Sequence, residues 1–273
     1  VSRFQAPMKR RNTGKGHYYV DANGDRIPGV TTILGDGLPK KALINWAANA
    51  TAEYAIDHWD ELGDMKASER LKKMQGGRYG ITDKAKKRGT EVHGYADRLI
   101  QGEKVEGVPD LLRGHVEAYA RFLDQFDVQP VVVEASVVNY TVGYAGTLDM
   151  IADILDPRTR EHVRILADIK TNEKGIYGET ALQLAAYRYA EFLSEGDGGE
   201  ERPMIEVSHC AAIHVTSDSA ELIPVTAERQ QFLDFRYARE IRRFDAESRD
   251  LVGAPMDPPR ETTIASIEWK EAK

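Results

Sequence analysis

The chain has 273 residues, 41% hydrophobic and 30% charged, which suits one sizeable core with an accessory subdomain and excludes a wholly disordered chain. A formal net charge of −7 excludes a uniformly basic nucleic-acid coat, so any DNA contact has to come from a local patch. One cysteine, Cys210, cannot by itself build an intramolecular disulfide, a cysteine zinc site or an iron–sulfur cluster, and in its apolar setting it reads as a buried small hydrophobe.

No run of 18 apolar residues occurs, and Val1-Ser2-Arg3-Phe4-Gln5 lacks the apolar segment of a signal peptide, so the expectation is a soluble cytoplasmic protein with no membrane partner. The first element expected is a β-hairpin: His17-Tyr18-Tyr19-Val20, a turn at 21–25, then a strand through 26–34. Leu43, Trp46, Ala47, Ala50 and Tyr54 keep helical spacing and predict an amphipathic helix over 40–60. Two further helices are expected, at 66–75 with a stop at Gly76-Gly77 and at 82–101 with a stop at Gly102. A fourth covers 109–126.

The positive residues of 66–88 are Lys66, Arg70, Lys72, Lys73, Arg78, Lys84, Lys86, Lys87 and Arg88, against Glu69 and Asp83. Such a run is either a solvated face or an electrostatic footprint for a phosphate backbone. The candidate DNA-binding residues are Lys72, Lys73, Arg78, Lys84, Lys86, Lys87 and Arg88. A smaller run holds Lys9, Arg10, Arg11 and Lys15.

The texture then turns from helical to β. Strands are expected at 131–138, 147–155 and 162–171, a helix at 178–194, a glycine-rich loop at 196–199, strands at 204–216 and 221–225, and a charged helix at 227–247. The order from 109 onward is α-β-β-β-α-β, which implies one mixed-sheet α/β unit. A proline-containing tail, 248–273, is expected to pack on the surface.

Strand periodicity puts Asp168 and Lys170 on one face, with Leu166, while Ile165, Ala167 and Ile169 face the other way. If residues 157–160 form a four-residue turn, position 156 faces 161 and Asp149 falls opposite Asp168, with the two acids about 5 Å apart at Cβ. Like charges that close are destabilising unless a cation sits between them. Carboxylate oxygens suit Mg2+ or Mn2+, and Lys170 would then position a water or stabilise charge on a phosphate. The same spacing is met by a salt bridge of Asp149 or Asp168 with Lys170 on a half-exposed sheet.

Further residues point to the same region. Gly143 and Gly146 permit close backbone approach before Asp149, as a plain turn would. Gln183 and Tyr187, at i and i+4, share one helix face and can point back at the sheet. His93, read as standing near a helix start, is a candidate metal ligand, as are the Ile169 carbonyl and Glu134 on the valine-rich strand.

Four segments in this order resemble the motifs of the PD-(D/E)XK nuclease superfamily, and within it the RecB-like exonucleases common in bacteriophages. They are Gly89-Thr90-Glu91-Val92-His93, Gly146-Thr147-Leu148-Asp149, Asp168-Ile169-Lys170-Thr171 and Gln183-Leu184-Ala185-Ala186-Tyr187. The resemblance covers about 89–190 strongly, and the 27–34 segment with Trp46-Ala47 looks similar to the N-terminal region of the phage members. It implies an αβββαβ core over 89–247 behind an accessory hairpin and helical region over 1–88. His93, Asp149, Asp168 and the Ile169 carbonyl would surround the metal, with Lys170 as catalytic lysine and Gln183 and Tyr187 beside it. Relatives with an iron–sulfur cluster use four cysteines, so none is expected here.

The function implied is a Mg2+- or Mn2+-dependent exonuclease acting on single- or double-stranded DNA ends in phage recombination, repair or replication, with a single-strand annealing protein or recombinase as a candidate partner. A structure-specific endonuclease of the same superfamily is the alternative. A non-catalytic DNA-binding module that keeps the fold is another, although such modules usually lose an acid or the lysine.

Overall fold

A computed structural model of the chain describes residues 8–13, 16–173, 175–196 and 199–257. Lys15, residues 197–198 of the glycine-rich loop, residues 258–273 of the expected tail, and the side chains of Arg78 and Lys84 lie outside what it describes. The fold is mixed α/β, built on a seven-stranded sheet with helices on both faces.

Three long strands make the centre: β4 (Gln129–Asn139), β5 (Tyr144–Leu155) and β6 (His162–Lys170), following a three-stranded sheet, β1 (Lys9–Thr13), β2 (Gly16–Val20) and β3 (Arg26–Ile27). After β6 come helix α6 (Glu179–Arg188), β7 (Phe192–Ser194), β8 (Arg202–Pro203), β9 (His209–Val215), β10 (Ala220–Val225) and helix α7 (Arg229–Glu247). The sheet order is β10-β9-β6-β5-β4-β7-β8, with only β6 and β9 parallel among these pairs. Helix α6 makes the crossover that a parallel neighbour requires.

Alternation along β6 decides which layer each residue joins. Leu166 packs with α6, α7 and α1 (Val30–Gly37), whereas Ile165, Ala167 and Ile169 pack with α4 (Ala67–Ile100) and α5 (Asp110–Gln125). Each fully buried leucine or isoleucine contributes roughly 1.5–3 kcal/mol. Cys210 is buried in the first cluster, and its thiol is pushed up to about 11 by that burial.

Several elements differ from expectation, each for a visible reason. The strand expected through 34 stops at Ile27, and 30–37 is helical: Val30, Ile33, Leu34 and Gly37 are buried at helical spacing, which overrides their β-branched composition. The stop at Gly76-Gly77 is absent, and α4 is one helix of 34 residues. Gly77 serves close packing instead, since a Cβ there would lie 2.4 Å from Tyr54 on α2 (Lys41–Asp57). His93 therefore stands well inside a helix, not near its start.

The helix expected over 178–194 ends at Arg188, because Phe192, Leu193 and Ser194 pair with Val138, Val137 and Ser136 of β4. The strand expected from 204 begins at His209, while Met204 and Ser208 hydrogen-bond through their backbones to Glu191 and Arg164. A short helix α3 (Trp59–Gly63) links α2 to α4, and a 3-10 turn, Ser248–Leu251, follows α7. The described part of the expected tail, 248–257, is exposed apart from half-buried Ser248. Among the described residues no helix is long and apolar enough to cross a membrane.

Candidate active site

The β5–β6 pairing runs from Leu155↔His162 to Met150↔Ala167, and one further step along this register puts Asp149 opposite Asp168. The turn between them is the four-residue one, closed by the Asp156 amide on the Glu161 carbonyl and eased by Arg160 at φ 61°. On the other side of β5 the pairs Val133↔Met150 and Ala135↔Leu148 bracket Glu134, which is thus level with Asp149. Three carboxylates therefore come from adjacent strands: Glu134 on β4, Asp149 on β5 and Asp168 on β6.

Glu134 has φ 52°, unusual for a non-glycine residue inside a strand and costing on the order of 1–3 kcal/mol. The distortion changes the alternation of β4: Val133 packs on the α4/α5 side and Ala135 on the opposite side. It turns the Glu134 carboxylate into a cavity of about 350 Å³ that Asp149, Asp168, Ile169, Lys170, Gln183 and Tyr187 also line.

Asp168, with 4% of its side chain exposed, is gripped from within the fold. Gln183 Nε2 donates to its Oδ1 at 2.7 Å, and Lys170 Nζ lies 2.6 Å from Oδ2, although without a hydrogen-bonding angle. Gln183 Oε1 accepts from Lys170 Nζ at 3.0 Å, and Gln183 Nε2 also reaches the Tyr187 hydroxyl at 3.2 Å. One amide thus fixes the acid, the lysine and the tyrosine. Gly146 is needed for this arrangement, since a Cβ there would fall 2.5 Å from the Tyr187 ring.

Asp149, 12% exposed, accepts from the Ile169 amide at 2.6 Å and lies 3.7 Å from His93 Nδ1. Burial and then the charge of Asp168 hold its carboxyl well above the usual range, against the pull of the Ile169 amide. Burial lowers the His93 imidazole, favouring the neutral form that can donate a lone pair to a metal, while Asp168 raises it. The Tyr187 hydroxyl is raised by burial and next by Asp168, so it acts as a hydrogen-bonding group rather than an anion.

The donor set fits a hard divalent cation. Ligand atoms of His93, Glu134 and Asp149 lie within 4.8 Å of one another, and Asp168 Oδ2 is a buried carboxylate oxygen lacking a hydrogen bond. Carboxylates with one imidazole suit Mg2+ or Mn2+, whose charge would relieve the Asp149–Asp168 repulsion. Glu134 stands inside this donor group and Asp168 beside it, the reverse of their ranking from sequence; Asp168 is held by Gln183, with Lys170 next to its other oxygen. The Lys170–Asp168 ion pair expected as the alternative to a metal site is also present.

Of the basic residues on α4, Lys73 pairs with Glu61, Lys87 is 3.8 Å from Glu91 and Arg88 is 2.8 Å from Glu173. Lys72 and Lys86 are exposed, and neither forms an ion pair with another described residue. None of these side chains lines the cavity. Arg10, His17, Tyr19 and Thr147 do line it, and sequence reasoning missed them in this role. The available signal was the Gly14-Lys15-Gly16 sequence, which is of hairpin-turn type, and Lys9–Thr13 pairs with β2. No protein-family model matches the chain, and the search of curated proteins returns no match.

Proposed function

We propose that the chain is a divalent-metal-dependent DNA nuclease of the PD-(D/E)XK type, cutting phosphodiester bonds from DNA ends in the manner of the RecB-like exonucleases. The observation that carries this reading is the row of Glu134, Asp149 and Asp168 on three adjacent strands, with Lys170 on Asp168 and both held by Gln183. The α-β-β-β-α order of α5 to α6, followed by a parallel β9, supports the same assignment. The implied end-directed activity rests on the sequence resemblance.

Mg2+ or Mn2+ held by Glu134, Asp149 and His93, with Asp168 and the Ile169 carbonyl beside them, would supply Lewis-acid activation of water and phosphate. Lys170 orients the attacking water and offsets the charge that grows on the phosphate. Gln183 keeps Lys170 extended over Asp168, and Tyr187 braces Gln183 from the next turn of α6. Exposed lysines of α4 hold the DNA backbone outside the cavity.

The test is a time course on end-labelled linear DNA and on covalently closed circles, with Mg2+, Mn2+ or chelator. The parent should degrade linear DNA only with metal and spare the circles. Asp168→Ala and Lys170→Ala should each lower the rate by about 10²–10³-fold. Linear DNA left intact with either metal, and variants indistinguishable from the parent, would sink the proposal; cleaved circles would turn it towards an endonuclease.

A further inference from the structure

Metal binding and cleavage as proposed use β4 to β6, α4 and α6 and leave the small N-terminal sheet without a task. That sheet is nevertheless built into the cavity wall. The Tyr19 hydroxyl hydrogen-bonds Thr147 Oγ1 at 2.8 Å, two residues before Asp149, and His17 Nε2 meets the same hydroxyl at 3.0 Å. Met8 and Tyr19 bury themselves against Val138 and Ala145, and the Ala145 amide donates to the Pro28 carbonyl. Tyr19 is paired with Arg10 across β1 and β2, so its anchoring fixes where Arg10 stands.

Arg10 Nη1 reaches Glu134 Oε2 at 3.4 Å, and its Nε is buried with no hydrogen-bond partner. A guanidinium kept only as counterion to Glu134 would be expected to close on it at about 2.7–2.9 Å, with two parallel bonds. Arg10 does neither. Its partner is also one of the three candidate metal donors, so a bound cation would compete for that contact and free the fork. The row of acids carries a cation at each end: Arg10 on Glu134 and Lys170 on Asp168.

We infer that Arg10 is a phosphate-binding residue of this site, its guanidinium donating to non-bridging oxygens of the bound strand so that the phosphodiester is held between Arg10 and Lys170. The inference rests on the nuclease reading and deepens it. A planar fork suits two phosphate oxygens, whereas an ammonium offers a point charge.

The test compares Arg10→Ala and Arg10→Lys with Lys9→Ala, an exposed charge removed from the same strand. Three quantities are measured: steady-state cleavage of linear DNA, anisotropy of an end-labelled oligonucleotide with Ca2+ in place of the catalytic metal, and calorimetric titration of Mn2+ alone. Arg10→Ala should lower kcat/KM about 100-fold and weaken oligonucleotide binding. Arg10→Lys should recover only part of both, Mn2+ affinity should stay at the parent's level or tighten, and Lys9→Ala should match the parent throughout. Arg10→Ala that cuts and binds like an active parent overturns this inference alone. So does a loss tracked by an equal loss of Mn2+ affinity, which would make Arg10 a prop for Glu134. A parent that neither cuts nor binds DNA overturns the nuclease reading and this inference with it.

Discussion

The described side chains of residues 67–87 in α4 face solvent, α2 or α3 and its flanking turn, and Arg88 reaches Glu173, whereas residues 89–100 of the same helix press Val92, Ala96 and Ile100 against the central sheet. The first stretch is basic and rich in glycine, each glycine costing roughly 1 kcal/mol against alanine in a helix interior, so it depends on packing with α2 for its order. The second is fixed by the core and carries His93 into the cavity. One rigid element thus joins a site that requires accurate placement to a charged arm that requires only reach.

The sharpest way to break this contrast is at His93. His93→Ala should lower Mn2+ affinity and cleavage on the order of 100-fold, with oligonucleotide binding in Ca2+ much less affected. Calorimetry and anisotropy on one preparation check it. Equal losses in both would mean that the two stretches of α4 do not divide the work.

Gly77 tests the arm. Gly77→Ala puts a methyl 2.4 Å from Tyr54 Cγ, and the α2–α4 packing should lose about 1–3 kcal/mol. Hydrogen exchange should quicken across 41–57 and 67–77 while β4 to β6 keep their protection. Adding Tyr54→Ala should restore slow exchange in α4; faster exchange in the central strands as well would show that arm and core unfold as one.

How far the sequence reaches follows the same division. Side-chain parity on β6 and the Asp149–Asp168 register were legible, because period-two alternation and a short turn are local. The Gln183/Tyr187 face was legible for the same reason, being one helical turn. Two things were hidden: the β-branched run at 30–34 reads as strand until its burial spacing is known, and Gly77 reads as a stop until Tyr54 is packed on it. Arg10 was the hardest, since its contact with Glu134 spans 124 residues and no local pattern encodes it.

A smaller effect separates the lysines of the arm. Lys72→Ala with Lys86→Ala should weaken DNA binding and flatten the slope of log K against log salt by about 0.7–0.9 for each phosphate no longer neutralised. Lys73→Ala with Lys87→Ala should change it less, because Glu61 and Glu91 already engage those charges. The same slope from both pairs would remove the basis for treating Lys72 and Lys86 as the lysines that meet the DNA backbone.

The least of the expected effects belongs to the core stretch of α4 and concerns pH. Asp97, one turn beyond His93, has its carboxyl pushed up to about 7 by burial, with the charge of Glu134 adding to it. The folded protein therefore holds that proton more tightly than the unfolded chain, where aspartate titrates near its ordinary value of 3.8. Stability from this group is fully present below the unfolded value and drains away as pH rises through about 7. In metal-free melts, Asp97→Asn should lose less Tm than the parent between about pH 5 and pH 8. Parallel curves would mean that Asp97 meets water in solution, and that the core stretch of α4 is not dry along its whole length.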